Sequence, residues 1–269
     1  MRLVRFLAAI TAMALLGLVG ATTAGAQDAV RVHLLHGIPD TPVDVYVAGS
    51  AVIEDFEFGD ANDLSAFAGV TLEDVEVRLA GTDTVAIEVP SLAIPSSGNF
   101  TAIAHLDADG TPTLAVFEND TSSIAAGEGR LVVRHTAAAP EVDILANGAV
   151  AFASVPNGAE GGVDLAVGTV TAEVVPAGAS EPVVIGPADL PITDGTSLIV
   201  YAVGSLDGDS LTVLTETIEG LGSTPTVVNT GNSPVDASST SMLFVVLAII
   251  AALAATTAVA VPRFARERI

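Results

Sequence analysis

Two stretches of the chain decide the expected fold: RVHLLHGIPDTPVDVYVAG at residues 31–49 and RLVVRHTAAAPEVDILANG at residues 130–148. In each, an apolar run ends in a histidine, a turn with proline follows, and a Val-Asp pair opens a second apolar run that reaches glycine. His36 aligns with His135 and Asp44 with Asp143 at the same offset. A repeat of about 95 residues is too long for a solenoid unit, so it predicts two tandem globular modules.

Within each copy the apolar residues follow the pattern of β-strands. Apolar and polar residues alternate in 43–48, 75–79 and 85–89, and Asp109-Gly110 marks a hairpin between 101–106 and 113–117. The second copy repeats this pattern in seven segments: 131–133, 142–145, 163–167, 170–175, 183–185, 198–203 and 211–215. Turn signals every 8–12 residues or so predict sandwiches.

Three shorter segments carry local predictions. A single helical turn is expected near residues 60–63. The densest acidic run, 54–60, is expected to be a solvated loop whose phenylalanines tuck into the sandwich. The linker at 122–129 is short, which indicates limited freedom between the modules.

The two ends of the chain are typical of an exported, anchored protein. Residues 1–26 predict a signal peptide: Arg2 and Arg5 precede an apolar run, and Ala24-Gly25-Ala26 is a small-x-small cleavage site. Residues 241–262 predict a transmembrane helix, because about 20 uncharged residues suffice to cross a hydrocarbon core of about 30 Å. Arginines in the tail, 263–269, place that tail in the cytoplasm and the modules outside.

The C-terminal layout also resembles a sortase sorting signal. Asn229-Thr230-Gly231 fits the end of an L-P-x-T-G motif, whereas Val227 and Val228 do not fit its Leu and Pro. The sequence therefore favours a retained span over transfer to the cell wall. Residues 220–240 are small, polar and proline-containing, and predict a flexible stalk.

The charge of the chain excludes several classes of function. The net charge is −23, from 9 basic and 32 acidic residues, and the exterior part, 27–240, holds 4 Arg against 31 acidic residues. Such an acidic surface is unsuited to nucleic acid, which needs clustered Lys and Arg. The absence of Cys excludes disulfides, thiolate zinc sites and a cysteine nucleophile.

The segment 31–49 resembles the opening of the bacterial domain-of-unknown-function family 4397 (DUF4397), which runs R-V-x-x-x-H-x-x-P-D-x-P-x-V-D-V-Y-V-x-G. The spacer between the second proline and Val-Asp is one residue shorter here. The second copy is degenerate, since Asp40 and Tyr46 have no counterpart in it. The resemblance implies two immunoglobulin-like β-sandwiches, at 29–125 and 129–219, on a bacterial surface. It implies no reaction.

The shared motif residues are predicted to be scaffold. His36 and His135 are expected to hydrogen-bond the turn that follows each of them, although imidazoles in these places could also be ligands or bases. Asp44 and Asp143 are expected to accept backbone N–H bonds. Pro39 and Asp40 complete the motif of the first copy.

Calcium is the metal ion whose binding the sequence leaves as a possibility. Asp107 and Asp109 in one hairpin, and Asp207 and Asp209 in the corresponding one, offer hard oxygen ligands, but neither loop is an EF-hand. A hairpin turn is the favoured interpretation of both. His33 and His36 are not expected to bind zinc together, because residues three apart on a strand point to opposite faces.

No catalytic motif is present: the chain lacks a G-x-S-x-G elbow, a P-loop and a G-x-G-x-x-G. The sequence therefore predicts a non-enzymatic surface protein for spacing, adhesion or protein interaction, with an unknown envelope protein or glycan as partner. The alternatives are a calcium- or glycan-binding envelope module and, last, an envelope hydrolase.

Overall fold

The structure is a computed structural model, and it describes residues 30–223. This region is all-β, with one 3-10 turn at Ser65–Phe67 and no α-helix among the described residues. The first half contains eight strands: β1 Arg31–His36, β2 Val43–Val47, β3 Ser50–Phe56, β4 Ala61–Asp63, β5 Thr71–Leu79, β6 Val85–Ala93, β7 Asn99–Leu106 and β8 Pro112–Glu118. The second half contains eight more: β9 Glu128–His135, β10 Val142–Ala146, β11 Ala149–Val155, β12 Glu160–Ala166, β13 Gly168–Pro176, β14 Ile185–Ile192, β15 Ser197–Val203 and β16 Thr212–Ile218.

The strands form four four-stranded sheets, two in each half. In the first half the orders are β3-β2-β5-β6 and β4-β1-β7-β8, and in the second half β11-β10-β13-β14 and β12-β9-β15-β16. The second pair of orders repeats the first, strand for strand. Each half also contains one parallel pair, β1 with β7 and β9 with β15, and its other pairs are antiparallel.

Three apolar cores lie between the four sheets and pack each sheet against the next. The first joins β2, β5 and β6 to β1 and β7, and the third joins β10, β13 and β14 to β9 and β15. The second core lies between the halves, where Leu35, Ile103 and Phe117 pack with residues of β9, β15 and β16. The sheets are therefore stacked in four layers, and the two central sheets are covered on both faces.

Successive residues of the central strands enter different cores, because each of these strands is buried on both faces. On β1, Val32 and Leu34 enter the first core while Leu35 enters the middle one. On β15, Val200 faces the third core while Ile199 and Tyr201 face the middle one. Strands covered on both faces carry continuous apolar runs instead of alternation.

The linker between the halves is part of the middle core. Ile124 is fully buried there, and its backbone N–H donates to the carbonyl of Leu221 at 2.7 Å. The carbonyl of Ile124 accepts from Ser223 in return. All described residues belong to one compact unit, and the linker helps to join its halves.

Two local predictions were wrong. Residues 61–63 form β4, which pairs with β1, and the helical turn lies at Ser65–Phe67 instead. The acidic run 54–60 is not all loop, since its first three residues complete β3. Phe56 is buried in the first core as expected, and Phe58 packs against the middle core.

Several predictions lie outside the described residues. These are the signal peptide at 1–26, the residues of the stalk beyond 223, the motif-like Asn229–Gly231, the transmembrane helix at 241–262 and the tail at 263–269. Between residues 30 and 223 no helix has the length and apolar character needed to cross a membrane.

Candidate functional site: a polar cleft between the central sheets

A cleft of about 420 Å³ opens where the two central sheets meet. The edge strand β12 lies beyond β9 in the second half, and the end of β8 in the first half forms the opposite wall. The lining residues come from both halves: Glu118, Asn119, Asp120, Arg130, Val132, Arg134, Glu160, Gly162, Val163, Asp164, Ser197 and Ile199.

The pairing register of β9 with β12 positions the charged side chains that form the walls of this cleft. Arg130 lies opposite Asp164, and Arg134 lies opposite Glu160, in the antiparallel ladder. Side chains four apart on a strand share one face, so both pairs point the same way. Between them Gly162, opposite Val132, carries no side chain and leaves the floor open.

Arg130 connects the cleft to the linker between the halves. Its guanidinium binds the Asp164 carboxylate in the bidentate manner, with Nε–Oδ1 at 2.7 Å and Nη2–Oδ2 at 3.0 Å. Its Nη1 reaches the Asp120 carboxylate at 2.8 Å and the Ser122 hydroxyl at 3.2 Å. The pKa of Asp120 is lowered, first by hydrogen bonds from Ser122 and then by Arg130.

Arg134 joins the two halves and is only 1% exposed. It donates to Glu160 at 2.7 Å, to the Tyr201 hydroxyl at 2.6 Å and to the Asn119 side-chain oxygen at 2.7 Å. Its guanidinium carbon lies 4.4 Å from the centre of the Phe117 ring. Because Asn119 and Phe117 belong to the first half, this one side chain fixes the two central sheets to each other.

A second cluster across the same interface surrounds Glu216 of β16. Its carboxylate accepts hydrogen bonds from Thr101 and from Tyr201, each at 2.9 Å, and lies 2.8 Å from Nδ1 of His33. Tyr201 thus accepts from Arg134 and donates to Glu216, so the two clusters are continuous.

The pKa values of His33 and Glu216 shift in the directions expected when the two side chains pair. The hydrogen bond with Glu216 raises the pKa of His33, against the opposing effect of burial. Burial alone would raise the pKa of Glu216, but the hydrogen bonds from His33, Tyr201 and Thr101 together lower it. The interface is therefore strongest where Glu216 is ionised and His33 is protonated.

The motif histidines make the hydrogen bonds expected of scaffold. Nε2 of His36 lies 2.7 Å from the carbonyl oxygen of Thr41, and Nε2 of His135 lies 3.0 Å from that of Pro140. Burial lowers the pKa of both imidazoles. His36 also stacks on Phe56, with ring centroids 5.4 Å apart.

The motif aspartates hold the backbone of neighbouring strands. Asp44 accepts N–H bonds from Asp55 and Gly81, and Asp143 accepts them from Ser154 and Gly178. These hydrogen bonds lower the pKa of both carboxyl groups.

Pro39 and Asp40 lie in the turn that follows His36. The Pro39 carbonyl accepts from the Thr41 hydroxyl, and Asp40 adopts a left-handed backbone conformation with φ of 53°. None of the six motif residues lines the cleft.

The hairpin aspartates lie in two turns, one in each half. Asp107 accepts the backbone N–H groups of Asp109 and Thr111 within its own turn. Asp207 and Asp209 lie in the corresponding turn between β15 and β16. Within residues 30–223, no group of three or more His, Cys, Asp or Glu is arranged to hold a metal ion. His33 and His36 point to different partners, Glu216 and Thr41.

Sequence reasoning missed the residues of the cleft. It used Arg130 and Arg134 only to count charge, and it did not single out Glu160, Asp164 or Ser197. A signal was present in the spacing: Arg130 and Arg134 flank the predicted strand 131–133, and Glu160 and Asp164 are likewise four apart, which fits an antiparallel pair with both ion pairs in register.

Comparison with known families supports the resemblance of the first half. Residues 30–145 match the model of the family described as Domain of unknown function (DUF4397). The match spans all of β1 to β9 and ends within β10. No curated protein matches the chain.

Proposed function

We propose that this chain is an exported, membrane-anchored surface protein and that its two halves are copies of one immunoglobulin-like module acting together as a non-enzymatic binding unit. The observation that carries the proposal is the middle core, reinforced by Arg134 and Glu216, which joins the halves into one block. A block held in this way presents its loops and cleft in fixed geometry, which lowers the entropic cost of binding.

The ion pairs of the cleft support binding over hydrolysis. Hydrolysis of a glycoside needs one carboxylic acid with a raised pKa beside one that stays ionised. In the cleft, arginines neutralise Glu160 and Asp164 directly.

The sequence supports placement of the block outside the membrane. A cleavable apolar N-terminus and an apolar C-terminal run followed by arginines give one span with the modules exported. An excess of 27 negative charges over residues 27–240, from 31 acids and 4 Arg, keeps such a surface soluble and repels anionic surfaces.

Cysteine labelling of intact cells tests this placement cleanly, because the chain has no native cysteine. Val150, 55% exposed on β11, and Arg266 in the tail are each replaced by Cys. A membrane-impermeant maleimide should label Val150→Cys on intact cells and Arg266→Cys only after lysis. Labelling of both in intact cells, or of neither, contradicts the proposed topology.

A second candidate function is binding of an envelope glycan. The specific observation that favours it is the cleft, where carboxylates from both halves and two arginines of β9 converge around an open floor.

A further inference from the structure

We propose that the cleft between β8, β9 and β12 is a binding site for a saccharide of one or two rings. The inference rests on the proposed binding function and names its site and ligand class. Pockets for small molecules commonly measure about 300–1,000 Å³, and this cleft of about 420 Å³ lies within that range.

The walls of the cleft present fixed hydrogen-bond acceptors. Each carboxylate has about four lone-pair sites, and Arg130 occupies only two of those on Asp164. Arg134 binds Glu160 through one oxygen, Oε2. Because the arginines immobilise both carboxylates, their remaining lone pairs can accept from sugar hydroxyls without further loss of side-chain freedom.

Ser197 supplies a buried hydroxyl at the floor. It lines the cleft although only 1% of its surface is exposed. A hydroxyl can both donate and accept, so the Ser197 side chain can bond a sugar hydroxyl in either direction.

Further donors come from Arg134. A guanidinium has five N–H groups, and three hydrogen bonds from Arg134 are present among the described residues. The cleft therefore offers donors and acceptors together. Sugar hydroxyls both donate and accept, whereas an ammonium group or a calcium ion uses acceptors alone.

The floor of the cleft is apolar, and its two central residues belong to the middle core. Val132 and Ile199 lie side by side on β9 and β15. Next to Val132, Gly162 leaves room on β12. A Cβ at Gly162 would lie 3.6 Å from a Val132 methyl carbon, an ordinary contact, so the fold does not require glycine there.

Methyl NMR of the full chain in detergent micelles, with Val, Leu and Ile methyls labelled, tests the proposal. The probes are cellobiose, maltose and the disaccharide of N-acetylglucosamine, with spermidine and calcium chloride at matched ionic strength as competing chemistries. At least one disaccharide should shift the Val132, Val163 and Ile199 methyls and leave Val45, in the first core, unmoved.

Three variants sharpen the test. Gly162→Val fills the cleft and should weaken binding at least tenfold. Ser197→Ala should weaken it about threefold to tenfold, as expected for one neutral hydrogen bond. Ala149→Val, exposed on β11 and outside the cleft, is the matched control and should bind as the wild type does.

Three results would overturn the inference. One is the absence of shifts with every disaccharide at about 10 mM, ten times a Kd of about 1 mM. Another is binding that survives Gly162→Val, and the third is shifts at these methyls with spermidine or calcium alone. The proposed surface placement is judged separately by maleimide labelling, so failure of either leaves the other identifiable.

Discussion

Replacement of Arg134 by Met removes the side chain that joins the two halves most directly. Met keeps an apolar stem to pack near Phe117 but loses the hydrogen bonds to Glu160, Tyr201 and Asn119. We therefore expect a stability loss that is large for one residue and that affects both halves together.

The size of the stability loss follows from the burial of Arg134. Breaking a buried ion pair by removing one partner costs about 3–5 kcal/mol. Glu160 is 38% exposed and can be rehydrated, which favours the lower end of that range, about 3 kcal/mol. For a region of this size, each kcal/mol moves the melting temperature by about 2–4 °C, so a fall of about 6–12 °C is expected.

Urea unfolding of the purified chain, followed by circular dichroism, measures this loss. Arg78→Met is the matched control, because it removes the same charge from β5, where Arg78 pairs with Glu76 and lies over Tyr46. A partly exposed pair contributes about 0–1 kcal/mol, so the control should lose no more than that. If Arg134→Met loses no more than Arg78→Met, the argument that Arg134 fixes the interface is wrong.

Three further predictions concern the same interface and its surroundings. His33→Gln should reduce stability mainly between about pH 4.5 and 6.5, because the raised pKa of His33 stabilises the fold below the usual value of 6.5, and this contribution is lost as the pH rises through the raised value. Glu216, whose pKa is lowered from 4.5, loses its own contribution as the pH falls through the lowered value. Urea midpoints of both chains at a series of pH values test this, and a difference independent of pH would contradict it. Ile124→Ala should cost about 3 kcal/mol in urea unfolding, because the side chain is fully buried in the middle core; a loss below about 1 kcal/mol would show that the linker does not help to join the halves. Gly129→Ala should lower the melting temperature far more than Gly162→Ala, since its Cβ would collide with the Thr193 carbonyl whereas that of Gly162 has room; equal melting temperatures would refute the packing at Gly129.

The strand pattern of the outer sheets was predictable because apolar residues that enter a core alternate with polar ones. Val43-Asp44-Val45 and Val75-Glu76-Val77 alternate, and the structure places them in β2 and β5. Alternation of this kind reports a half-buried sheet directly. The hairpin at Asp109-Gly110 was predictable as well, because its turn chemistry is local.

The stacking of the halves was not predicted, although the chain carries a sign of it. Leu34-Leu35 on β1, Leu131-Val132-Val133 on β9 and the unbroken apolar run on β15 have no polar face. Such runs are expected of strands buried on both sides. Sequence alone does not say what covers the second face, because a short apolar run fits several kinds of packing.

The cleft escaped prediction because it depends on pairings distant in sequence. Arg134 contacts Asn119 only where the two halves pack together, and it contacts Tyr201 because β9 pairs with β15, which is distant in sequence. The motif histidines and aspartates, by contrast, bond turns and strands of their own half, so a repeated pattern was enough to indicate a scaffold role. Hydrogen bonds within one half could be predicted from the sequence, whereas hydrogen bonds between the halves could not.

Differential scanning calorimetry of the purified chain tests most directly the central claim, that the two halves form one structural unit. A shared core and a continuous polar network predict a single transition whose calorimetric and van't Hoff enthalpies agree. Arg134→Met should lower the temperature of that whole transition. Two separable transitions in the wild type, only one of which moves in Arg134→Met, would contradict the account.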